Sequence, residues 1–362
     1  MKRGGFDLNG ARLRRQRLVG GGFASAGEAV SAQLAVQAQD YLGALWGVGQ
    51  RVAGAREATI ERALTERSIV RGWPLRGTLH FVAAEDLHWL LDLLAPRVLQ
   101  RSRRRLKDEF ELDDRVVERA CRVCERVLGG GRALTREALY AAFENARIHT
   151  GDSRGLHLVW WLAHAGVLCF GTRAGKQQTF VLLDEWLPRT RRLPREAALT
   201  ELARRYFASR GPATVRDFAW WSGLAAADVA AAHDAVRSEL EAVEVEGRTY
   251  WRATDAGGDS GAANVARVHL LPAYDEYTVA YADRDAFLDA EHAKRAGNGI
   301  FKPALLVGGR IAGSWKRMLS KGAVHVVPEW FAPPTRAAAK AFDAAAARYA
   351  IFLGLPRRDG NS

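Results

Sequence analysis

Apolar positions recur at helical spacing along the first stretch of the chain and then give way to short β-rich runs, and this alternation comes round three times. Val30 and Leu34 stand at i, i+4 behind Ser25, which Glu28 follows three residues later; that capping box predicts a short helix from about residue 26. Leu42, Leu45, Trp46, Val48 and Val52 predict a second helix, and Ile60 and Leu64 a third over 57–67. Residues 69–82 read as two strands around a turn, because Gly and Pro interrupt β-rich residues there. Three helices followed by a hairpin is the order of a winged helix. Leu87, Leu90, Leu91 and Leu94 then mark a helix over 86–99, and Val116, Val117, Cys121, Cys124 and Leu128 another over 113–128.

The same order returns after Thr135. Leu139, Ala142 and Phe143 mark one helix, and Leu158, Trp161 and Leu162 a second over 155–166. The segments 167–170 and 179–183 follow as strands about a turn carrying Arg173 and Lys176, a wing with a cationic tip. Prolines bracket 188–194, which reads as a linker. A third unit begins with a helix over 197–210, reopens at Thr214, places a candidate recognition helix over 225–240 and closes with a hairpin over 241–251. Residues 256–263 are Gly-rich and read as a mobile loop. Beyond them 265–272, 304–307, 311–315 and 324–327 are strand-like, and 335–353 is a closing helix. The expected fold is α+β and mainly helical. It has three tandem winged-helix units and a small C-terminal α+β domain, with boundaries at 1–130, 131–193, 194–262 and 263–362.

At 362 residues the chain is long enough for two or three cores, and its 48% apolar composition is that of a globular protein. No apolar run reaches the roughly 18 residues that a membrane span requires, and the N-terminus lacks a signal peptide's apolar segment, so a cytoplasmic protein with no membrane partner is expected. Lys and Arg outnumber the acids 53 to 41, giving +12. An excess of that sign favours a polyanionic partner. It is concentrated in an N-terminal arm (Lys2, Arg3, Arg12, Arg14, Arg15, Arg17), at Arg101, Arg103, Arg104 and Arg105, and at Arg189, Arg191, Arg192 and Arg195; each run alone also fits a solvated face. Cys121-x-x-Cys124 has no second pair and no His cluster at ligand spacing, so no metal site and no cofactor is expected, and these cysteines fit a buried helix face.

Between the first two predicted helices lies Val36-Gln37-Ala38-Gln39-Asp40. If this join is extended rather than helical, Gln37 and Gln39 project side by side. Neighbouring amides combine carbonyl acceptors with N–H donors and do not titrate near neutrality, so they can orient water and stabilise a cation but are poor general bases. Taken alone, a Gln-x-Gln also fits an exposed interhelical join.

The block Leu34-Ala35-Val36-Gln37-Ala38-Gln39-Asp40-Tyr41, with Leu45-Trp46 and Arg51 beyond it, resembles the catalytic region of the AlkZ/YcaQ-type winged-helix DNA glycosylases. Arg71-Gly72-Trp73-Pro74-Leu75-Arg76-Gly77-Thr78-Leu79-His80 is similar to that family's Arg-Gly-Thr-Leu-His block. Leu270-Leu271-Pro272-Ala273-Tyr274-Asp275-Glu276-Tyr277 and Gly313-Ser314-Trp315-Lys316-Arg317 resemble its C-terminal blocks. The likeness runs in order from about residue 12 to 355, and Gln rather than an acid at 39 places it with the azinomycin-resistance branch.

The resemblance implies a glycosylase for N7-alkylated guanine, including bulky adducts and interstrand cross-links, acting as a monomer on double-stranded DNA. Guanine alkylated at N7 is already a cation and leaves without protonation, so Gln37 and Gln39 need only place water and stabilise the oxocarbenium-like state. No lysine stands near them in sequence as a Schiff-base nucleophile, which implies a monofunctional enzyme. Bulky substrates imply an open basic DNA channel rather than a snug flipping pocket. Residues for its walls are Arg76 and His80 on the first hairpin, Arg173 and Lys176 on the second, and Trp315, Lys316 and Arg317. Thr78 and His80 also fit a buried hydrogen-bond pair, Asp40 a helix cap, and Asp275 and Glu276 structural pairing with arginines. The competing class is a non-catalytic winged-helix regulator that only grips duplex DNA.

Overall fold

The computed structural model describes residues 6–187, 191–254, 267–320 and 322–358. The glycine-rich 256–263, expected as a loop, residues 188–190 of the expected linker, and Lys2 and Arg3 of the expected basic arm lie outside those residues. The chain divides into two compact units, one built from both ends, Met1–Glu61 with Thr200–Ser362, and the other from Arg62–Leu199.

In the Arg62–Leu199 unit the first hairpin pairs Ile69–Leu75 with Thr78–Ala83 antiparallel, from Ile69 opposite Ala83 to Leu75 opposite Thr78. Its two-residue turn has positive φ at Arg76 (51°) and Gly77 (76°), the twist that joins right-handed strands tightly. The register slips between Gly72 and Leu75, where Pro74 has no N–H to give the ladder. Leu87–Phe110 is one helix of 24 residues, running well past the last of the periodic leucines at Leu94. The basic run from 101 to 105 therefore lies on a helical surface, where Arg104 and Arg105 pair with Asp108 and Glu109 at i, i+4 and Arg103 pairs with Asp114. Helices Asp114–Leu128, Arg136–Asn145 and Arg154–His164 follow, capped by Asp113 and Thr135 where the sequence suggested. Leu112, Cys124, Leu139, Phe143, Leu158, Leu162 and Leu168 form the core of this unit, so Cys124 is a core thiol, its pKa raised to about 12 by burial. The second hairpin pairs Leu168–Phe170 with Thr179–Leu182, and Leu134–Thr135 adds to the outer side of Thr179–Leu182.

In the other unit the expected basic arm is a folded helix, Leu8–Arg15. Leu8, Ala11 and Leu13 are buried, and they carry Arg12 inside with them. The Arg12 guanidinium lies 3.7 Å from the Tyr281 ring centroid and its Nε donates to the Pro212 carbonyl at 3.0 Å, while Arg15 donates to Ala253 O at 2.8 Å. These two arginines are structural, so the part of the expected arm over residues 8–15 is folded into the unit rather than open. Helix Val215–Ser222 opens on a full capping box of Thr214 and Asp217, then Ala226–Val236 and the hairpin Leu240–Val245/Arg248–Ala253 follow. Four antiparallel strands, in the order Ala323–Trp330, Arg310–Ser320, Ala304–Val307, Val268–Leu271, form the C-terminal sheet, against which Arg336–Leu353 packs. At its Gly308-Gly309 turn a Cβ on Gly309 would stand 2.7 Å from Asn9 Cβ, a close approach only glycine permits.

Candidate active site

Ser25 caps helix Ala26–Gln33 by accepting from Glu28 N at 3.1 Å, and Glu28 closes the box one residue early, on Ala24 N at 2.9 Å. The helix stops at a sharp reversal. Leu34 has φ 61° and ψ −48°, and Ala35 N donates to Gln33 O at 2.7 Å, which makes 33–35 a γ-turn of the rare positive-φ kind. A non-glycine residue held there costs about 1–3 kcal/mol and persists only when its surroundings enforce it.

The chain leaves this turn extended through Val36–Gln37, so Gln37 and Gln39 do share a side, and Gln37 Nε2 donates to Gln39 Oε1 at 2.6 Å. Gln37 is 7% exposed while Gln39 lies at the surface, so the pair is held from beneath and open from above. Asp40 caps the next helix, Tyr41–Gly49, accepting from Gly43 N at 3.1 Å. Asp40 gives one carboxylate oxygen to this cap, and beside it the two uncharged amides are placed to handle a water. A chain of amides polarised in one direction can present an acceptor to water and a partial negative charge to a developing cation.

Beneath the loop lie two fully enclosed ion pairs. Glu276 takes Arg210 through Oε2 (Nη2 at 2.5 Å and Nε at 3.2 Å) and Trp221 Nε1 at 3.1 Å, and its other oxygen accepts the backbone N–H of Gln37 at 2.9 Å. Arg210 in turn donates to Gln33 O at 2.7 Å and Ala35 O at 2.8 Å. Asp275 binds Arg51 in bidentate fashion at 2.7 and 2.9 Å and accepts Tyr277 N at 2.9 Å. The two acids are not on a strand; Asp275 caps the single turn Glu276–Val279, and each points to its own arginine. Structural pairing, one of the sequence-level readings, is what they do.

Trp46 and Trp315 donate their indole N–H groups to Leu270 O and Leu271 O at 2.6 and 2.7 Å. Both rings meet Tyr349 edge-on at about 5 Å and frame, with Asp40, Gly43, Lys316 and Arg317, a cavity of about 70 Å³. The structure thus brings Trp315, Lys316 and Arg317 beside Asp40, next to Gln39. Lys316 is exposed, Arg317 donates to the Tyr349 hydroxyl at 2.6 Å, and Trp315 is 7% exposed.

In the Arg62–Leu199 unit Arg76 is half-buried at the hairpin turn. His80 is enclosed, with Nδ1 2.9 Å from the backbone carbonyl of the half-buried Thr78, whose hydroxyl donates to Leu75 O at 3.2 Å, so the two side chains do not pair with each other in these bonds. Lys176 is exposed at the tip of the second hairpin, and Arg173 donates to its carbonyl at 3.2 Å. Lys176 also edges a cavity of about 470 Å³ walled by Trp73, Tyr140, Val159, Phe170 and Phe180. Among the described residues there is no cluster of three His, Cys, Asp or Glu side chains able to hold a metal, and no helix long and apolar enough to cross a membrane. Sequence reading missed Leu34, Arg210 and Trp221. The one available signal was the apolar run Leu34-Ala35-Val36, which breaks helical period directly before the glutamines.

The profile of the "DNA glycosylase AlkZ-like" family matches residues 30–352. The chain is 27% identical over 351 residues to a Streptomyces sahachiroi protein named "Interstrand DNA cross-link repair glycosylase", covering 91% of this chain and 92% of that one. Its fold is similar to the solved Streptomyces sahachiroi DNA glycosylase AlkZ, with a TM-score of 0.77, 24% identity, and coverage of 97% of this chain and 98% of that chain. The profile match spans most of the sequence, and the chain therefore belongs to the DNA glycosylase AlkZ-like family, enzymes that hydrolyse N-glycosyl bonds.

Proposed function

We propose that this chain is a monofunctional glycosylase that releases N7-alkylated guanine from double-stranded DNA, bulky adducts and interstrand cross-links included. In this reading Gln37 and Gln39 hold the attacking water beneath C1′ and stabilise positive charge on the sugar as the base departs. The observation that carries it is the hydrogen-bonded amide pair at 2.6 Å, with the adjacent Asp40 engaged as a helix cap. Such a pair has no proton to deliver to the leaving group, which suits a base that is already cationic. The name of the Streptomyces relative supports the cross-link substrate. A role in resistance to a DNA-alkylating natural product such as azinomycin rests on the sequence resemblance alone, through Gln rather than an acid at position 39.

The helix–helix–helix–hairpin segments are read as three winged-helix units, bounded at 1–130, 131–193 and 194–262, with 263–362 as the α+β domain. Arg76, Arg173, Lys176, Lys316 and Arg317 contact phosphates, while His80 and Trp315 brace the elements that carry them. The enzyme acts as a cytoplasmic monomer without a cofactor. Gln37→Ala and Gln39→Ala each lower single-turnover release of 7-methylguanine by about 10²–10³, or roughly 2.7–4 kcal/mol, the usual loss for one preorganised polar group. Full release by both variants refutes the assignment, and strand cleavage without alkali or heat refutes monofunctionality.

A further inference from the structure

We infer that Arg210, Glu276 and Trp221 are positioning residues that set the aim of Gln37 and Gln39 by holding the γ-turn at Leu34 closed; the inference rests on the catalytic reading of that pair. Leu34 is fully buried with φ 61°, a conformation that an L side chain leaves unless it is held. Both carbonyls flanking it are held by one guanidinium, Gln33 O at 2.7 Å by Nη1 and Ala35 O at 2.8 Å by Nη2. A planar fork can span two acceptors in this way, whereas a lysine ammonium cannot keep the same geometry.

The fork is itself fixed. Glu276 Oε2 takes Nε and Nη2 at 3.2 and 2.5 Å and is further pinned by Trp221 Nε1 at 3.1 Å, and the guanidinium stacks 4.4 Å from the Trp221 ring. The remaining Glu276 oxygen accepts Gln37 N at 2.9 Å. One buried polar body therefore grips the chain at residues 33, 35 and 37, the alternate positions that lead to the amides. Side chains alternate along extended backbone, so a change of direction at Leu34 re-aims Gln37 and Gln39 together. Misplacement of a catalytic group by about 1 Å can cost about 10²-fold in rate.

The test is single-turnover release of 7-methylguanine from duplex DNA by the full chain, with DNA affinity and thermal melting measured on every variant. Arg210→Lys keeps a cation beside Glu276 but removes the fork. Trp221→Phe keeps the ring and the ion pair and removes one donor, so it serves where Arg210→Lys does not fold. The expected result is a rate about 10–100-fold lower for Arg210→Lys and a smaller loss for Trp221→Phe, with DNA affinity unchanged. In a Gln37→Ala/Gln39→Ala background the same substitutions leave the residual rate within about twofold, because no aimed amides remain to be disturbed. Folded clamp variants that react at the wild-type rate overturn the inference, as do losses that multiply in full with the glutamine substitutions. If the glutamine variants are slow and the clamp variants are silent, only this inference falls. If the glutamine variants keep full rate, the catalytic reading itself falls.

Discussion

Asp275→Asn isolates what the other buried pair contributes. Arg51 has five N–H donors, and all are used: Nε to Gln16 O at 3.1 Å, Nη1 to Gly47 O at 2.7 Å and Asp275 Oδ2 at 2.9 Å, and Nη2 to Gln16 Oε1 at 3.0 Å and Asp275 Oδ1 at 2.7 Å. Both side chains are 1% exposed, so solvent cannot replace the lost charge. Asparagine keeps the volume but turns one acceptor into an NH₂ group facing the guanidinium, and it leaves a cation buried without a counter-charge. Removing one member of such a pair costs about 3–5 kcal/mol. At about 2–4 °C per kcal/mol for a domain of 150–250 residues, the melting temperature falls by roughly 6–20 °C. Urea unfolding at pH 7 with a parallel thermal melt measures both. A loss under about 1 kcal/mol refutes the reasoning, because it means that water or a rearranged partner reaches Arg51. Replacing both residues, Arg51→Met with Asp275→Leu, recovers only part of the loss, since Gln16 O and Gly47 O then lack donors.

Burial lowers the pKa of His164 to about 4 and, helped by Arg267, Arg348 and Arg51, that of His269 to about 3. Below about pH 6.5 the unfolded chain binds protons that these two rings refuse in the fold, so stability is full above that pH. It then falls on acidification toward pH 4 by about 1.4 kcal/mol per unit per ring. Urea unfolding at pH 7 and pH 5 detects this, and a His164→Gln/His269→Gln chain with an unchanged pH dependence contradicts it. Gly49→Ala places a Cβ 2.2 Å from Phe352 Cε2, so overpacking of about 1–3 kcal/mol outweighs the gain in helix propensity, and a melt at or above wild type disproves that close approach. Lys176→Ala and Lys316→Ala each lower the slope of log K against log salt by about 0.9 if each meets one phosphate. Titrations at several salt concentrations that superimpose on wild type remove that residue from the interface.

Much of the fold was readable because it follows from local rules. Helix starts at Asp113, Thr135 and Thr214 are side-chain caps satisfied within three residues, and the first hairpin was announced by Gly and Pro within a β-rich run, although at its turn only Gly77 is a residue that favours the positive φ that Arg76 also takes. The side-by-side glutamines were equally local, since period two in extended chain follows once the helix is known to stop. The 24-residue span of Leu87–Phe110 was not readable, because its second half is mostly exposed charge that reaches the core only through the widely spaced Leu99, Leu106 and Phe110, with i, i+4 ion pairs along its solvated face.

The sequence by itself determined that two amides stand two residues apart between two helices, in a chain whose charge suits DNA. Only the tertiary structure decided where they are held. Arg210 and Glu276 lie 66 residues apart, and Glu276 lies 239 from Gln37, so no periodicity or spacing connects them. Buried charges must find partners wherever the fold brings them, and here those partners include the backbone of the loop that carries Gln37 and Gln39. The same requirement turned Arg12 from one residue of an expected basic arm into an interior stack on Tyr281.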